Sequence, residues 1–228
     1  MNSEIEIVPS IIGKQFSEIR DKIRAVEGLT KWTQIDIVDG CFAPFQTWNN
    51  PSELSALDGQ IKIEVHLMVL EPEKIIKEWM GIVARVIVHY EATSHLEEII
   101  DVFKSSLRRG GGSPVKIGVA LNLETPVEVL DGIATGIDLI QLMSIAEIGE
   151  YGHKLDNRVF DKLLSLRKKY PSAIINVDGG VNLDNACQLA RHGANRLVVG
   201  SAVFGQGDVK ANVNNFIKLF KNKNGSSS

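Results

Sequence analysis

Short runs of β-branched and apolar residues recur along the chain every 20 to 35 residues or so, each followed by a turn or a charged amphipathic stretch. Eight of these runs read as strands: IEIVPS (5–10), WTQIDIVDG (32–40), IKIEVHLMV (61–69), RVIVHY (85–90), VKIGVALN (115–122), IDLIQLMS (137–144), AIINVDGG (173–180) and RLVVGSAVF (196–204). Helical patterns lie between them, among them FSEIRDKIRAVEG, EPEKIIKEWMGIV, SHLEEIIDVFKSSLRRG, NRVFDKLLSLRKKY, NLDNACQLARHG and VKANVNNFIKLFKNK. Pro72 sits in a first turn, Asn182 has the place of an N-cap, and Gly28, Gly110 and Gly193 stand where helices end. Strict alternation of strand and helix implies parallel strands joined by crossovers, and eight repeats predict an α/β chain folded as a single (β/α)8 TIM barrel. The barrel is expected over residues 1–222, with a flexible polar tail at 223–228. An open doubly wound sheet fits less well, because PSIIGKQF rather than a dinucleotide glycine fingerprint follows the first strand.

Parity along the strands separates an interior face from a helix-facing one. In the second strand Ile35 and Ile37 suit the helix layer, which turns Gln34, Asp36 and Val38 inward; Asp39 has the opposite parity and reads as a turn or capping carboxylate. In the third strand Ile63, Val65 and Leu67 face out, while Glu64, His66 and Met68 face in. In the seventh, Asn176 and Asp178 face in, with Gly179 and Gly180 following. Two aspartates and a histidine thus converge at the C-terminal end of the barrel, and burying carboxylates there demands pairing, hydrogen bonds or a metal. The loops after strands seven and eight often hold phosphate in such barrels, which makes Gly179, Gly180, Gly200 and Ser201 phosphate candidates.

The bulk numbers exclude more than they suggest. A chain of 228 residues, 44% hydrophobic and 23% charged with a formal charge of -3, is ordinary for a soluble domain and offers no electrostatic reason to bind nucleic acid. Cys41 and Cys187 lack CxxC spacing and read as reduced core thiols. No basic segment precedes an apolar one at the N-terminus, and no apolar run approaches the roughly 18 residues of a membrane span. A cytoplasmic protein without membrane contact is expected.

The stretches VPSI, QIDIVDGCFAP, EVHLMV, VHYEA, GVALN, LIQLMS, INVDGGVN and GANRLVVGSAVF resemble, in order and spacing, the ribulose-phosphate 3-epimerase family over nearly the whole chain. The resemblance implies a barrel of the ribulose-phosphate-binding type that inverts C3 of a ketose phosphate, D-ribulose 5-phosphate to D-xylulose 5-phosphate, through an enediolate. It implies Asp36 and Asp178 as the acid/base pair and a divalent cation (Zn, Fe, Mn or Co) on Asp36, His66 and Asp178. It further implies a pocket lined by Ser10, Val38, His66, Met68 and Met143, a phosphate lid that keeps Gly149 and Gly152, and a homo-oligomer. A related reading is an epimerase-like barrel that takes another sugar phosphate, such as allulose 6-phosphate, or binds one without turnover. Related decarboxylases carry an Asp-x-Lys-x-x-Asp strand, and QIDIVDG has isoleucine at the lysine's place.

Two positions depart from the family pattern. A histidine ligand is expected two residues before the catalytic aspartate of the second strand, and Gln34 stands there, a weaker and neutral fourth donor. The loop after the sixth strand, MSIAEIGEYGHKLDNRVF, adds Glu147 and Glu150 near the expected phosphate, with His153 as a possible compensating contact. His89, His95 and His192 read as structural.

Overall fold

Each predicted run pairs in parallel with the next, and the eighth closes on the first. The computed structural model describes residues 5–108, 115–149 and 152–221. Its strands are β1 (Glu6–Ile11), β2 (Trp32–Val38), β3 (Lys62–Met68), β4 (Arg85–His89), β5 (Lys116–Leu121), β6 (Leu139–Met143), β7 (Ile175–Asp178) and β8 (Arg196–Val199). The helices are α1 (Phe16–Val26), α2 (Pro51–Leu54), α3 (Ile76–Trp79), α4 (Leu96–Arg108), α5 (Arg158–Lys169), α6 (Leu183–Arg191), α7 (Ser201–Phe204) and α8 (Val209–Lys221). The polar tail and Gly110 lie outside the described residues.

Several boundaries differ from the sequence pattern for local reasons. EPEKIIKEWMGIV splits into a 3-10 turn, Pro72–Lys74, and the single turn α3, because Glu71 ahead of the proline adopts the left-handed region at φ 54° and Ile75 widens to φ -117°. RLVVGSAVF stops as a strand at Val199, and SAVF turns into α7 beyond Gly200. No α-helix joins β5 to β6; two 3-10 turns, Val127–Leu130 and Ala134–Gly136, make that crossover. Cys41 is exposed and Cys187 half-buried, so the expectation of two core thiols is wrong: Cys41 lies in a turn beyond β2, and Cys187 falls at the edge of the buried stripe of α6. The N-cap of α6 is as expected, with the Asn182 side chain accepting from the amides of Asp184 and Asn185, and the Asn185 side chain accepting from the Asn182 amide.

Register positions the site. Ile35, Ile37, Val65 and Leu67 are fully buried in the layer between barrel and helices. Each such side chain contributes about 1.5–3 kcal/mol by burial. A one-residue slip would turn that whole set inward and Asp36 out, so the same apolar alternation that builds the core aims the carboxylate. Inside the barrel Ile87, Ala120 and Leu139 form a separate apolar plug. Gly118 makes room for it, since a Cβ there would stand 3.1 Å from both Ile87 and Leu139. Below the plug the floor is charged: Glu64 accepts from Arg85 Nη1 at 2.5 Å and Arg196 Nη1 at 3.0 Å, and Arg196 Nε donates to Glu6 at 2.6 Å. Both guanidinium groups lie over the Trp32 ring, 4.4 and 5.2 Å from its centroid.

Candidate active site

Four inward side chains from three strands meet at the C-terminal end of the barrel. Parallel pairing sets Asp36 opposite His66, and Gln34 lies one inward step below Asp36 on β2. The two hydrogens of the Gln34 amide nitrogen bridge the carboxylates, donating to Asp36 Oδ1 at 2.8 Å and to Asp178 Oδ2 at 2.7 Å. His66 Nδ1 faces the same two oxygens, 3.4 and 3.5 Å away. Ligand atoms of Asp36, His66 and Asp178 all lie within 4.8 Å of one another and are buried, a group that could hold a metal ion.

Gln34 bears on whether such an ion fits. Among the described residues its buried Oε1 has no hydrogen-bond partner, an arrangement that leaves an acceptor uncompensated. Half a turn of the amide about its terminal bond would bring that oxygen to where the nitrogen stands, between the carboxylates. The position could therefore offer a cation an oxygen donor and, without one, holds the two carboxylates together by hydrogen bonds. The donor set fits a divalent cation, although it lacks the imidazole that the family pattern predicts at this position.

Burial raises the Asp178 carboxyl first, and the Asp36 charge adds to it; His66 and the Gln34 hydrogen bond oppose the rise, and the balance leaves the group at about 7. A second donor, Gln141 Nε2, reaches Asp178 Oδ2 at 2.9 Å. Its orientation is dictated from the barrel floor. Arg196 can only donate, so Asn176 Oδ1 accepts from it at 3.1 Å, Asn176 Nδ2 donates to Gln141 Oε1 at 3.1 Å, and Gln141 is left with its NH2 toward Asp178. From the opposite wall, His66 Nε2 meets His89 Nε2 at 2.9 Å, and His89 Nδ1 meets Glu91 Oε2 at 3.1 Å. The sequence reads His89 as structural and does not single out Gln141 or Glu91. Parity could have found the first two, since each lies inward near a strand's C-terminal end.

The remaining predicted residues distribute unevenly. A cleft of about 510 Å³, its open mouth included, is lined by Ser10, Asp36, Met68, Met143, Gly149, Gly152, Asp178, Gly179, Gly180, Gly200 and Ser201. His66 lies beneath it, and Val38 packs with Ala43 and Met68. Gly180 is required as glycine: at φ 65° its Cβ would stand 2.3 Å from the Leu155 amide nitrogen, so the loop after β6 rests on bare backbone there. His153 from that loop also lines the cleft, whereas Glu147 points to solvent and lies 3.9 Å from His153 Nδ1. Glu150 lies outside the described residues. Asp39 is structural as expected: Oδ1 accepts from the amides of Cys41 and Phe42 and Oδ2 from that of Leu70, and these bonds outweigh burial to lower its pKa.

Residues 6–204 match the sequence model of the ribulose-phosphate 3 epimerase family. Among curated proteins, the chain is 35% identical to the ribulose-phosphate 3-epimerase of Bacillus subtilis over 90% of this chain and 95% of that one. It is 34% identical to the chloroplastic ribulose-5-phosphate-3-epimerase of Arabidopsis thaliana, covering 90% and 74% respectively. A solved 3-hexulose-6-phosphate synthase superposes with a TM-score of 0.69 at 15% identity, covering 95% of this chain and 100% of that one; this likeness is one of fold. Among the described residues no helix is long and apolar enough to cross a membrane.

Proposed function

The chain belongs to the ribulose-phosphate 3-epimerase family, and from that premise we propose that it interconverts D-ribulose 5-phosphate and D-xylulose 5-phosphate by moving a proton between two opposed carboxylates. The observation that carries the proposal is the pair Asp36 and Asp178, which reach the same cleft from β2 and β7. Inversion at C3 needs one group to take a proton from one face and another to return one from the opposite face, and the neighbouring C2 carbonyl acidifies that carbon. In the cation-free site burial and the Asp36 charge raise the Asp178 carboxyl, which suits Asp178 to carry the proton and leaves Asp36 to abstract. Returning from D-xylulose 5-phosphate, the roles exchange. Met68 and Met143 line the cleft and keep water from the reacting carbon. On this reading the phosphate is received by the amides of Gly179, Gly180, Gly200 and Ser201, which line the β7 and β8 side of the cleft, with Gly149 and Gly152 from the loop after β6 lining it beside them.

Asp36, His66, Asp178 and the Gln34 amide oxygen would hold a divalent cation, which would supply Lewis-acid stabilisation of the enediolate charge. Three oxygen donors and one nitrogen suit a harder ion such as Mn2+ better than zinc. Incubation with D-ribulose 5-phosphate and Mn2+ in deuterated water tests the proposal. Deuterium should appear at C3 of both pentose phosphates, and Asp36→Asn or Asp178→Asn should slow this by about 10²–10⁴-fold. Absence of exchange in the unaltered protein with each of Mn2+, Co2+, Fe2+ and Zn2+ would refute it.

A further inference from the structure

The buried chain from Glu91 to His66 has a direction, and the direction decides which nitrogen of His66 faces the carboxylates bare. Glu91 follows β4, and its Oε1 accepts from the Asn122 amide at 2.8 Å and from the Thr125 hydroxyl. The backbone amide can only donate, so Oε1 is locked as an acceptor. Lys162 braces the same loop, donating to the Asn122 carbonyl at 2.5 Å and to the Leu123 carbonyl at 3.2 Å. Burial works to raise the Glu91 carboxyl, but the bonds from His89, Thr125 and the Asn122 amide outweigh it and draw the group down to about 2. Glu91 is therefore a carboxylate, and its second oxygen accepts from His89 Nδ1.

With its one proton on Nδ1, His89 offers a lone pair at Nε2. The planes of the two rings make an angle of 24° with centroids 4.9 Å apart, and their Nε2 atoms at 2.9 Å are closer than face-to-face stacking allows, so the ring edges meet in a hydrogen bond. His66 must be the donor in that bond. Its Nδ1 then carries no proton, and it faces Asp36 Oδ1 at 3.4 Å, Asp178 Oδ2 at 3.5 Å and the Gln34 amide nitrogen at 3.5 Å. Once both aspartates are ionised, a lone pair facing their oxygens is unfavourable unless a cation lies between them.

We propose that Glu91, acting through His89, is a positioning residue that holds the proton of His66 on Nε2 and so dedicates Nδ1 to a cation. The cation part rests on the proposed function; the protonation pattern does not. Glu91→Gln tests it without changing shape. The amide oxygen must stay with the Asn122 N–H, which leaves the NH2 facing His89 Nδ1 and reverses every bond in the chain. His89 then donates from Nε2, and His66 carries its proton on Nδ1, where a cation would bind.

Nitrogen-15 histidine spectra of the cation-free protein read the pattern directly. His66 Nε2 should be protonated in the unaltered protein and bare in Glu91→Gln, with the circular dichroism spectrum unchanged. Titration calorimetry with Mn2+ should show affinity 10–100-fold weaker in the variant, the range found when an outer-shell partner of a ligating histidine is lost. Unchanged protonation in Glu91→Gln, or an Mn2+ affinity within twofold of the unaltered protein, would overturn the proposal. Should the spectra reverse as expected while the unaltered protein fails to exchange deuterium at C3, the assignment of Glu91 stands and the proposed reaction falls.

Discussion

Replacing Asp178 by asparagine should make the cation-free protein more stable at alkaline pH while removing its activity. Asp178 moves from an ordinary 3.8 to about 7 on folding, because burial and the nearby Asp36 charge both penalise its ionised form. The difference between those two values corresponds to at most about 4 kcal/mol. Below pH 4 the carboxyl is protonated in both folded and unfolded chains and contributes nothing to the difference. Between about 4 and 7 the unfolded chain releases the proton that the folded chain keeps, so stability falls as pH rises, and above about 7 the full penalty is present. Asparagine is never charged and escapes it. The substitution also preserves geometry: the side-chain oxygen can still accept from Gln34 Nε2 and Gln141 Nε2, the two donors now on Asp178 Oδ2. Relaxation of the coupled pair reduces the gain to about 1–3 kcal/mol, worth roughly 2–4 °C per kcal/mol in a chain of this size. Urea unfolding in EDTA at pH 4 and pH 8 measures it. Near-equal stabilities at pH 4 and a more stable variant at pH 8 are expected; a variant no more stable than the parent at pH 8, or a gap of the same size at both pH values, would refute the reasoning.

Two other substitutions probe neighbouring parts of the site. Gln34→His should raise affinity for Zn2+ by about tenfold or more relative to Mn2+, since imidazole suits zinc better than an amide oxygen does; calorimetric titrations with both ions would show this, and an unchanged ratio would remove Gln34 from the ligand set. Gly180→Ala should force apart the loop after β6 and the turn after β7, because the new Cβ would meet the Leu155 backbone nitrogen at 2.3 Å and the residue sits at φ 65°. A loss of about 1–3 kcal/mol in stability and a raised KM for the sugar phosphate would be seen in urea titration and initial-rate kinetics, and unchanged values would show that the loop does not depend on that contact.

The barrel was legible because apolar alternation acts at short range. Ile35 and Ile37 oppose Asp36 by parity alone, and the structure keeps that parity at every inward site residue on β2, β3 and β7. Loops were less so: the left-handed backbone at Glu71 that breaks the helical run and the 3-10 crossover between β5 and β6 leave no mark on the apolar period. Within the site, the aspartates and His66 stood out as polar residues on inward positions. Glu91 did not. It lies beyond the end of β4, and its role comes from the Asn122 amide and Thr125, residues more than 30 positions away in sequence.

The bonds inside the barrel suggest why glutamine is tolerated where the family pattern leads one to expect histidine. From the floor, Arg196 imposes a run of donors that ends on Asp178; from the opposite wall, Glu91 imposes a run of acceptors that ends in the bare nitrogen of His66. Neither run can reverse at its origin, because a guanidinium has no acceptor and a carboxylate no donor. The residue at position 34 must then reconcile two carboxylates with a lone pair. A neutral imidazole there has a single N–H and could satisfy one carboxylate at a time, leaving the cation-free barrel with close like charges. The Gln34 amide has two hydrogens for the two oxygens and an unused carbonyl that can turn inward when a cation arrives. Glutamine would be a weaker zinc ligand than imidazole, but its two amide hydrogens hold the acid pair together in the folded chain without an ion.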